Sequence, residues 1–525
     1  MKRLLCALAA VVMLTSVMLT GRPVTAAPPA PLIFARVKDA VDLDPAVATD
    51  GLSLNVTELI LQGLVEFRPG TFDVVPDLAE KWTTSKDGKA WTFTLRPNVK
   101  FTDGTPVDAE AVKFNFDRWR LTNNPYRGNY QFSYYVAEFG GFPGLISDVQ
   151  VDDPLKVTFK LTRPYGPFLR NLAMPSFAIG SPTAIKADIV AFDHHPVGSG
   201  PYELSEWVKD DHITLHANPD YRPAPAYTTV VIRDIPDQAT SVLELEKGDI
   251  DGLSDLRPDD AASLAKDKNI TIYRQPSNNV SYLAMNMDKK PFGDRRIRQA
   301  IAYAIDIPAI VHAFYPVGGM VANEWIPPGM LGNNPAVKAY PHDIAKAKAL
   351  MAAAGMSKGF STELYYGTAP RPYMPEPQRV AEAIQADLRQ IGINVTLEPF
   401  EWAVYLSKIK NGEHPMCLIG WTGDNGDPDN FLYPLLDKDS AVKGGQNYSF
   451  WRDERFHELM LEGQATIVES RRAKIYAQAL QLVHDEVPAV PLVHTTVPFA
   501  MKSNIAGVIP NPNNVIWYQL MKPKT

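Results

Sequence analysis

The sequence contains only two cysteines in 525 residues. Cys6 lies in the N-terminal apolar segment and Cys417 lies far along the chain. Once the N-terminal segment is removed, Cys417 has no intramolecular partner, so disulfide bonds cannot stabilise the exported chain. A chain of this length with 45% hydrophobic residues can instead be stabilised by a large core.

Long apolar runs are also scarce, and none beyond the N-terminus approaches the ~20 residues that span a bilayer. At the N-terminus, two cations precede the apolar run 4–19, and small residues follow it up to Ala26. This pattern predicts a secretory signal peptide, residues 1–26, that is cleaved after Ala26. Because Cys6 lies too early for a lipobox, we expect a soluble protein exported to the periplasm.

An excess of positive charge is absent as well. The formal net charge is −7, and removal of residues 1–26 takes away three cations and no acid, which lowers it to −10. No run of lysine or arginine interrupts this acidic chain. The composition therefore argues against nucleic acid and anionic lipid as partners.

Motifs for metal binding and catalysis are lacking. Counted from Asp427, the twelfth position of a calcium-binding loop is Lys438, where a bidentate glutamate is required. No His-Glu-x-x-His motif occurs, and the segment 197–202 (VGSGPY) is neither a dinucleotide fingerprint nor a nucleophile elbow. We therefore expect no metal, no cofactor and no enzyme. An exported peptide or glycan hydrolase stays open as an alternative, because paired carboxylates need no local motif.

Strand-like and helix-like segments alternate between Pro/Gly turns along the whole chain, which predicts an α/β fold. In the first half, strands are predicted at 32–37 and 91–95, and helices are predicted to begin at the N-caps Ser53 and Asp108. The helices predicted in the second half are two capped by Asp294 and Asp343, two near 378–390 and 402–410, and a last one that is capped by Ser470 and ends at about 485. Strands are predicted near 362–366, 394–398, 416–420 and 489–493.

Two unusual loops follow predicted strands of the second half. Arg371 and Tyr373 lie among prolines, which restrict the backbone and leave these side chains few orientations. The loop 421–431 (WTGDNGDPDNF) carries Asp424 among glycines and further acids, which we interpret as loop-stabilising residues. Ligands of open α/β sheets bind beyond the carboxyl ends of strands. A guanidinium and a carboxylate on two stiff loops therefore predict a site for a zwitterion.

Five sequence blocks resemble the family 5 extracellular solute-binding proteins of ABC importers over essentially the whole exported chain. They are 78–82 (LAEKW), 91–96 (WTFTLR), 101–104 (FTDG), 197–202 (VGSGPY) and 296–305 (RIRQAIAYAI). Within that family, the two loops resemble the dipeptide-binding branch.

The resemblance implies a two-lobed periplasmic binding protein of type II, cluster C-like, with an extra subdomain in lobe I. Lobe I is expected to contain residues 27–277 and 495–525, with the subdomain at about 65–176, and lobe II to contain residues 278–494. The lobes are expected to close on the ligand.

The resemblance also implies the site and the partners. Asp424 is expected to bind the α-ammonium of a dipeptide and Arg371 its α-carboxylate. The other expected ligand-binding residues are Trp421, Tyr373, Thr422 and Gly423, with Gly51 on the opposing wall. We expect a monomer that delivers dipeptides or short peptides to a membrane permease. Haem, glutathione or a nickel chelate remain open as alternative ligands.

Overall fold

The computed structural model describes residues 30–254, 256–276 and 278–524. The predicted signal peptide lies outside these described residues. Within them, no helix combines the length and the apolar character that crossing a membrane requires.

The helices and strands are named here in chain order. The strands are β1 (Leu32–Arg36), β2 (Val65–Phe67), β3 (Val74–Pro76), β4 (Ala79–Thr84), β5 (Ala90–Leu95), β6 (Ile146–Asp153), β7 (Lys156–Leu161), β8 (Tyr202–Val208), β9 (His212–Ala217), β10 (Thr229–Asp234), β11 (Gly252–Leu253), β12 (Ile270–Gln275), β13 (Asn279–Met285), β14 (Gly319–Val321), β15 (Phe360–Gly367), β16 (Ile393–Phe400), β17 (Met416–Thr422), β18 (Ala489–Thr495), β19 (Val497–Lys502), β20 (Ile505–Ala506) and β21 (Lys522–Pro523). The helices are α1 (Gly51–Ile60), α2 (Ala109–Arg120), α3 (Ser133–Phe139), α4 (Phe168–Leu172), α5 (Pro182–Ala187), α6 (Ile189–His194), α7 (Gln238–Lys247), α8 (Pro258–Leu264), α9 (Arg295–Ala304), α10 (Ile307–Phe314), α11 (Ile344–Ala353), α12 (Pro377–Arg389), α13 (Trp402–Lys410), α14 (Asp429–Leu436), α15 (Glu454–Ala465) and α16 (Glu469–Glu486).

A seven-stranded sheet has the order β12-β19-β11-β1-β10-β9-β8. β1 pairs in parallel with both β10 and β11, so the first strand of the described chain lies at the centre of the sheet. β19 pairs antiparallel with β11 and β12. The C-terminal part of the chain therefore returns to a sheet that is otherwise built from the N-terminal half.

A six-stranded sheet has the order β14-β18-β13-β17-β15-β16 and is formed by the segment between β12 and β19. β13 lies inside this sheet and all seven of its residues are buried. The chain enters this sheet between Gln275 and Asn279 and leaves it between Thr495 and Val497. The Asn279 side-chain oxygen accepts hydrogen bonds from the Thr495 backbone N–H (2.9 Å) and hydroxyl (3.0 Å), which joins the two connections.

A four-stranded antiparallel sheet, β4-β5-β7-β6, is inserted between β1 and the later strands of the seven-stranded sheet. In β5, Trp91, Phe93 and Leu95 are buried and the intervening threonines are half-buried, as the alternating sequence predicted. Phe116 of α2 packs edge-to-face on Phe159 of β7 (centroids 4.7 Å apart). The aromatic residues of this region therefore form core.

Two predicted helix N-caps are wrong. Asp50, not Ser53, caps α1, because its carboxylate accepts the Ser53 backbone N–H (2.9 Å) and the helix begins one residue after it. The Ser53 hydroxyl instead donates to Asp50 and accepts from the Val41 backbone N–H. α16 begins at Glu469, and Val468 is at its N-cap position. The caps Asp108, Asp294 and Asp343 are confirmed.

Three acids, Glu58, Glu66 and Asp77, line a small cavity where the segment β2–β3 joins α1. One carboxylate oxygen of Glu58 is buried without a hydrogen-bond partner among the described residues. Burial, reinforced by the negative charge of Asp77, raises the pKa of Glu58 to about 8. Arg96 opposes this effect at Glu66 and Asp77, but their pKa values are also raised by burial.

Glu58→Gln should stabilise the protein at alkaline pH. Because the folded pKa of Glu58 lies above its ordinary value of 4.5, the full stability is present below pH 4.5 and is lost as the pH rises to about 8. The loss is at most ~1.4 kcal/mol per pH unit. The free energy of unfolding of the variant, measured in urea at pH 5, 6.5 and 8, should therefore rise relative to wild type. Glu80→Gln, at an exposed site, is the control; parallel profiles for Glu58→Gln and wild type would contradict the prediction.

Candidate ligand-binding site

The two predicted ligand loops lie side by side at one edge of the six-stranded sheet. β15 and β17 are parallel neighbours, with Leu364 opposite Met416, so their carboxyl ends point the same way. The Tyr373 ring packs so closely on Gly420 that a Cβ atom at position 420 would overlap it. The adjacency expected from the sequence is therefore observed, and only glycine fits at the contact.

Asp424 follows β17 and is held in place by its neighbours. Its carboxylate accepts hydrogen bonds from the Tyr134 hydroxyl (3.1 Å) and from the Asn430 side-chain amide (3.2 Å). The Asn430 side-chain oxygen accepts from the Asp424 backbone N–H (3.0 Å) and from the Trp421 indole (3.2 Å). Among the described residues no cation forms an ion pair with Asp424. Burial raises its pKa, because the charged form loses water without gaining a positive partner.

The other two acids of the loop point into the protein. Asp427 is fully buried and forms a bidentate ion pair with Arg472 of α16 (2.7 and 2.8 Å). Arg472 holds the pKa of Asp427 below its usual range despite the burial. Asp429 accepts from Gln464 (3.1 Å), and burial together with the charge of Asp427 raises its pKa to about 7. Asp427 thus fixes the loop to α16, in agreement with the loop-stabilising role interpreted from the sequence.

A cavity of about 650 Å³ adjoins Asp424, between the loop and the inserted segment. Glu138 of α3 also lines it, and its carboxylate accepts from the side-chain amides of Asn425 and Asn430, both at 3.4 Å. Aromatic residues form much of the wall: Tyr134, Phe139, Tyr165, Trp421 and Tyr433.

Arg371 and Gly51 line a second cavity of about 500 Å³ between the two large sheets. The Arg371 guanidinium lies over the Trp402 ring, with Cζ 3.6 Å from the ring centroid. Its Nε atom is buried without a hydrogen-bond partner among the described residues, and none of them forms an ion pair with it. Stacking on Trp402 fixes the guanidinium plane and leaves its donors for an external acceptor.

The remaining predicted site residues have different environments. Trp421 lines the larger cavity. Thr422 is the last residue of β17 and is half-buried. Gly423 is buried, donates its backbone N–H to the Asn278 carbonyl (2.8 Å) and has no room for a side chain beside Phe431. Tyr373 is 8% exposed, belongs to the core of the six-stranded sheet and is absent from the described linings of both cavities. Its ring therefore orients the Arg371 loop.

Several residues of this site were not found from the sequence. Glu138 and Tyr134 lie on the seven-residue helix α3, some 290 positions before Asp424. Trp402 was predicted only as the start of a helix. A residue whose role depends on a contact between distant segments has no local pattern that distinguishes it from a surface residue.

The family model for bacterial extracellular solute-binding proteins, family 5 Middle, matches residues 73–442. The chain belongs to this family. It is 38% identical over 494 residues to the dipeptide-binding protein of Escherichia coli, with 92% of each chain covered. Its structure is similar to that of HbpA2 from Haemophilus parasuis (TM-score 0.88, 32% identity, 94% and 100% covered). It is also similar to a dipeptide-binding protein from Pseudoalteromonas in complex with Met-Leu (TM-score 0.78, 29% identity, 94% and 100% covered).

The comparisons confirm the two-lobed α/β fold of the periplasmic binding proteins. Members of this family are extracellular solute-binding proteins, and the relatives are binding proteins rather than enzymes. In this family 5 protein, the two cavities lie where residues of the two sheets and of the inserted segment face each other. Solute binding between lobes therefore agrees with both the fold and the site.

Proposed function

We propose that this protein captures dipeptides or short peptides and delivers them to the permease of an ABC importer. The observation that carries the proposal is the pair Asp424 and Arg371, a carboxylate and a guanidinium without ionic partners among the described residues. Arg371 lies on the loop whose Tyr373 packs on Gly420 of β17, and Asp424 follows that strand. A free dipeptide supplies the complementary charges at its two ends. The relatives that bear the names dipeptide-binding and di/tripeptide-binding protein support the same ligand class.

The ligand would place its ammonium at Asp424 in the larger cavity and its carboxylate at Arg371 in the second cavity. Opposite charges 4 Å apart gain ~1 kcal/mol in water but ~4 kcal/mol at an effective dielectric constant of 20. The contacts are therefore strong only when the site is closed to water. Arginine suits the carboxylate end because two of its N–H groups fit the two oxygens.

Closure of the lobes supplies that enclosure. We propose lobe I as residues 27–277 and 495–525 and lobe II as residues 278–494. At these boundaries the chain passes from the seven-stranded sheet to the six-stranded sheet and back. The inserted subdomain is proposed at about 65–176. A peptide that contacts both lobes would bind the closed form better than the open one and shift the population toward it. We also propose periplasmic location after cleavage of residues 1–26, action as a monomer, and a binding role without catalysis.

Arg371→Ala should weaken dipeptide binding by about 30-fold or more, since a buried carboxylate would lose its cation. The affinity can be followed by the shift in unfolding temperature of the refolded, ligand-stripped protein when a dipeptide is added. A ligand at a hundred times its dissociation constant stabilises the protein by ~2.7 kcal/mol. Lys438→Ala is the control, because Lys438 pairs with Glu454 at the surface. Equal affinities of both variants would refute the assignment of Arg371, and stabilisation by haem or nickel–histidine but by no dipeptide would refute the ligand class.

A further inference from the structure

Glu138 is a second acid at the ammonium end of the site. It belongs to the inserted segment, whereas Asp424 follows a strand of the six-stranded sheet. The side-chain nitrogen of Asn430 donates to both carboxylates, at 3.2 Å to Asp424 and 3.4 Å to Glu138. Two acids from different parts of the fold therefore face one nitrogen atom, and both line the same cavity.

We propose that Glu138 is a ligand-binding residue that, together with Asp424, binds the ammonium group of the peptide and does so from the inserted segment. The inference rests on the proposed function and extends it by one residue. A primary ammonium has three N–H donors, so it reaches two carboxylates at once. It would thereby connect the inserted segment to the six-stranded sheet, and the charge of the ligand would favour the closed form.

The contacts of Glu138 leave room for this role. Its carboxylate accepts two hydrogen bonds, both long at 3.4 Å and both from neutral amides. Neutral amides compensate a buried carboxylate less well than a cation does. The buried guanidinium of Arg472, which lies in the same acidic cluster, is already bound to both oxygens of Asp427.

The surroundings of Glu138 are mostly acidic. Burial and the three acids of the loop raise the pKa of Glu138 well above its usual range, and the amide of Asn430 opposes this effect. In the empty site burial therefore disfavours the ionised form of Glu138, and an ammonium would favour that form. The titratable and charged groups that face it are Tyr134 on its own helix, Arg163 and Tyr165 after β7, Asp424 and Asp427 in the loop, and Asp429 and Tyr433 on α14.

Proton release separates this role from a structural one. Because burial raises the pKa of Glu138 and an ammonium would lower it, binding should release protons to solvent, and affinity should increase as the pH rises. A residue that only holds the loop through Asn425 and Asn430 would affect affinity without this proton exchange.

The test is calorimetric titration of the ligand-stripped full chain with alanyl-alanine at pH 6.5, in two buffers with different ionisation enthalpies. Wild type should release protons, whereas Glu138→Gln should release fewer, because only Asp424 then remains as an acid of raised pKa at the ammonium, and should bind about 10-fold more weakly. Glu138→Asp, which keeps the charge, should retain the release. Glu110→Gln, at an exposed site on α2, should behave as wild type.

Three outcomes would overturn an assignment. Unchanged affinity and unchanged proton release in Glu138→Gln would overturn the role of Glu138 while the proposed function stands. Weaker binding with undiminished proton release would show a structural role and would overturn it as well. Absence of binding of any dipeptide by the wild-type protein would overturn the proposed function itself. If Glu138→Gln does not fold, Glu138→Asp carries the test, because loss of proton release in that variant would contradict the assignment.

Discussion

Replacing Arg472 by methionine should lower the free energy of unfolding by about 3–5 kcal/mol at pH 7. Arg472 is 1% exposed and donates to both oxygens of Asp427, to the Gly463 carbonyl and to Tyr476. Without it, Asp427 is a buried carboxylate beside two further acids, Asp429 and Glu138. Arg170 lies 3.9 Å from Asp427, too far to replace the bidentate pair.

The loss should depend on pH in one direction. Because Arg472 depresses the folded pKa of Asp427, the stability that the ion pair contributes is present above the unfolded pKa of an aspartate and is lost as the pH falls through the folded pKa. The difference between wild type and variant, measured by urea unfolding, should therefore be larger at pH 7 than at pH 3.

The neighbouring residue provides the control for this prediction. Arg471 lies on the same helix, but its side chain is 66% exposed and pairs with Glu462 at the surface. Arg471→Met should change the free energy of unfolding by less than about 1 kcal/mol, because exposed ion pairs contribute little. Similar losses in both variants would show that the buried pair does not fix the ligand loop to α16.

Asp424→Asn should weaken dipeptide binding by about 100-fold or more. The substitution keeps the shape of the side chain, and its oxygen can still accept from Tyr134. It removes the negative charge that an enclosed ammonium requires, and loss of one partner of a buried charge pair costs ~2–5 kcal/mol. Calorimetric titration of the ligand-stripped protein with alanyl-alanine measures the change.

The stability of this variant should move in the other direction. Because burial raises the pKa of Asp424, its charge is unfavourable in the empty protein, so a neutral side chain should leave the unfolding temperature equal or higher. Asp485→Asn, at an exposed position of α16, is the control and should leave both quantities unchanged. A variant at Asp424 that binds as wild type does would place the ammonium elsewhere in the cleft.

Local patterns predicted the helices and strands of the second half well. The strand predicted at 416–420 is observed as Met416–Thr422, and the helix predicted at 378–390 as Pro377–Arg389. These elements have regular apolar spacing and are bounded by turn residues. Both signals depend on residues only a few positions apart, so they can be recognised in the sequence. The caps predicted at Ser53 and Ser470 are wrong because each helix begins one or two residues before the predicted cap. The apolar spacing alone does not decide which of several nearby residues is the N-cap.

The sequence by itself determined the α/β fold class and singled out the two loops that carry Arg371 and Asp424, because stiff prolines, glycines and turn-forming acids act within a few residues of where they lie. Only the tertiary structure decided which acid of the loop is paired with a cation. Arg472 neutralises Asp427 from a helix 45 residues away, Trp402 orients Arg371, and Glu138 reaches the cavity from the inserted segment. Charge compensation depends on distance in space, which local spacing in a sequence does not specify.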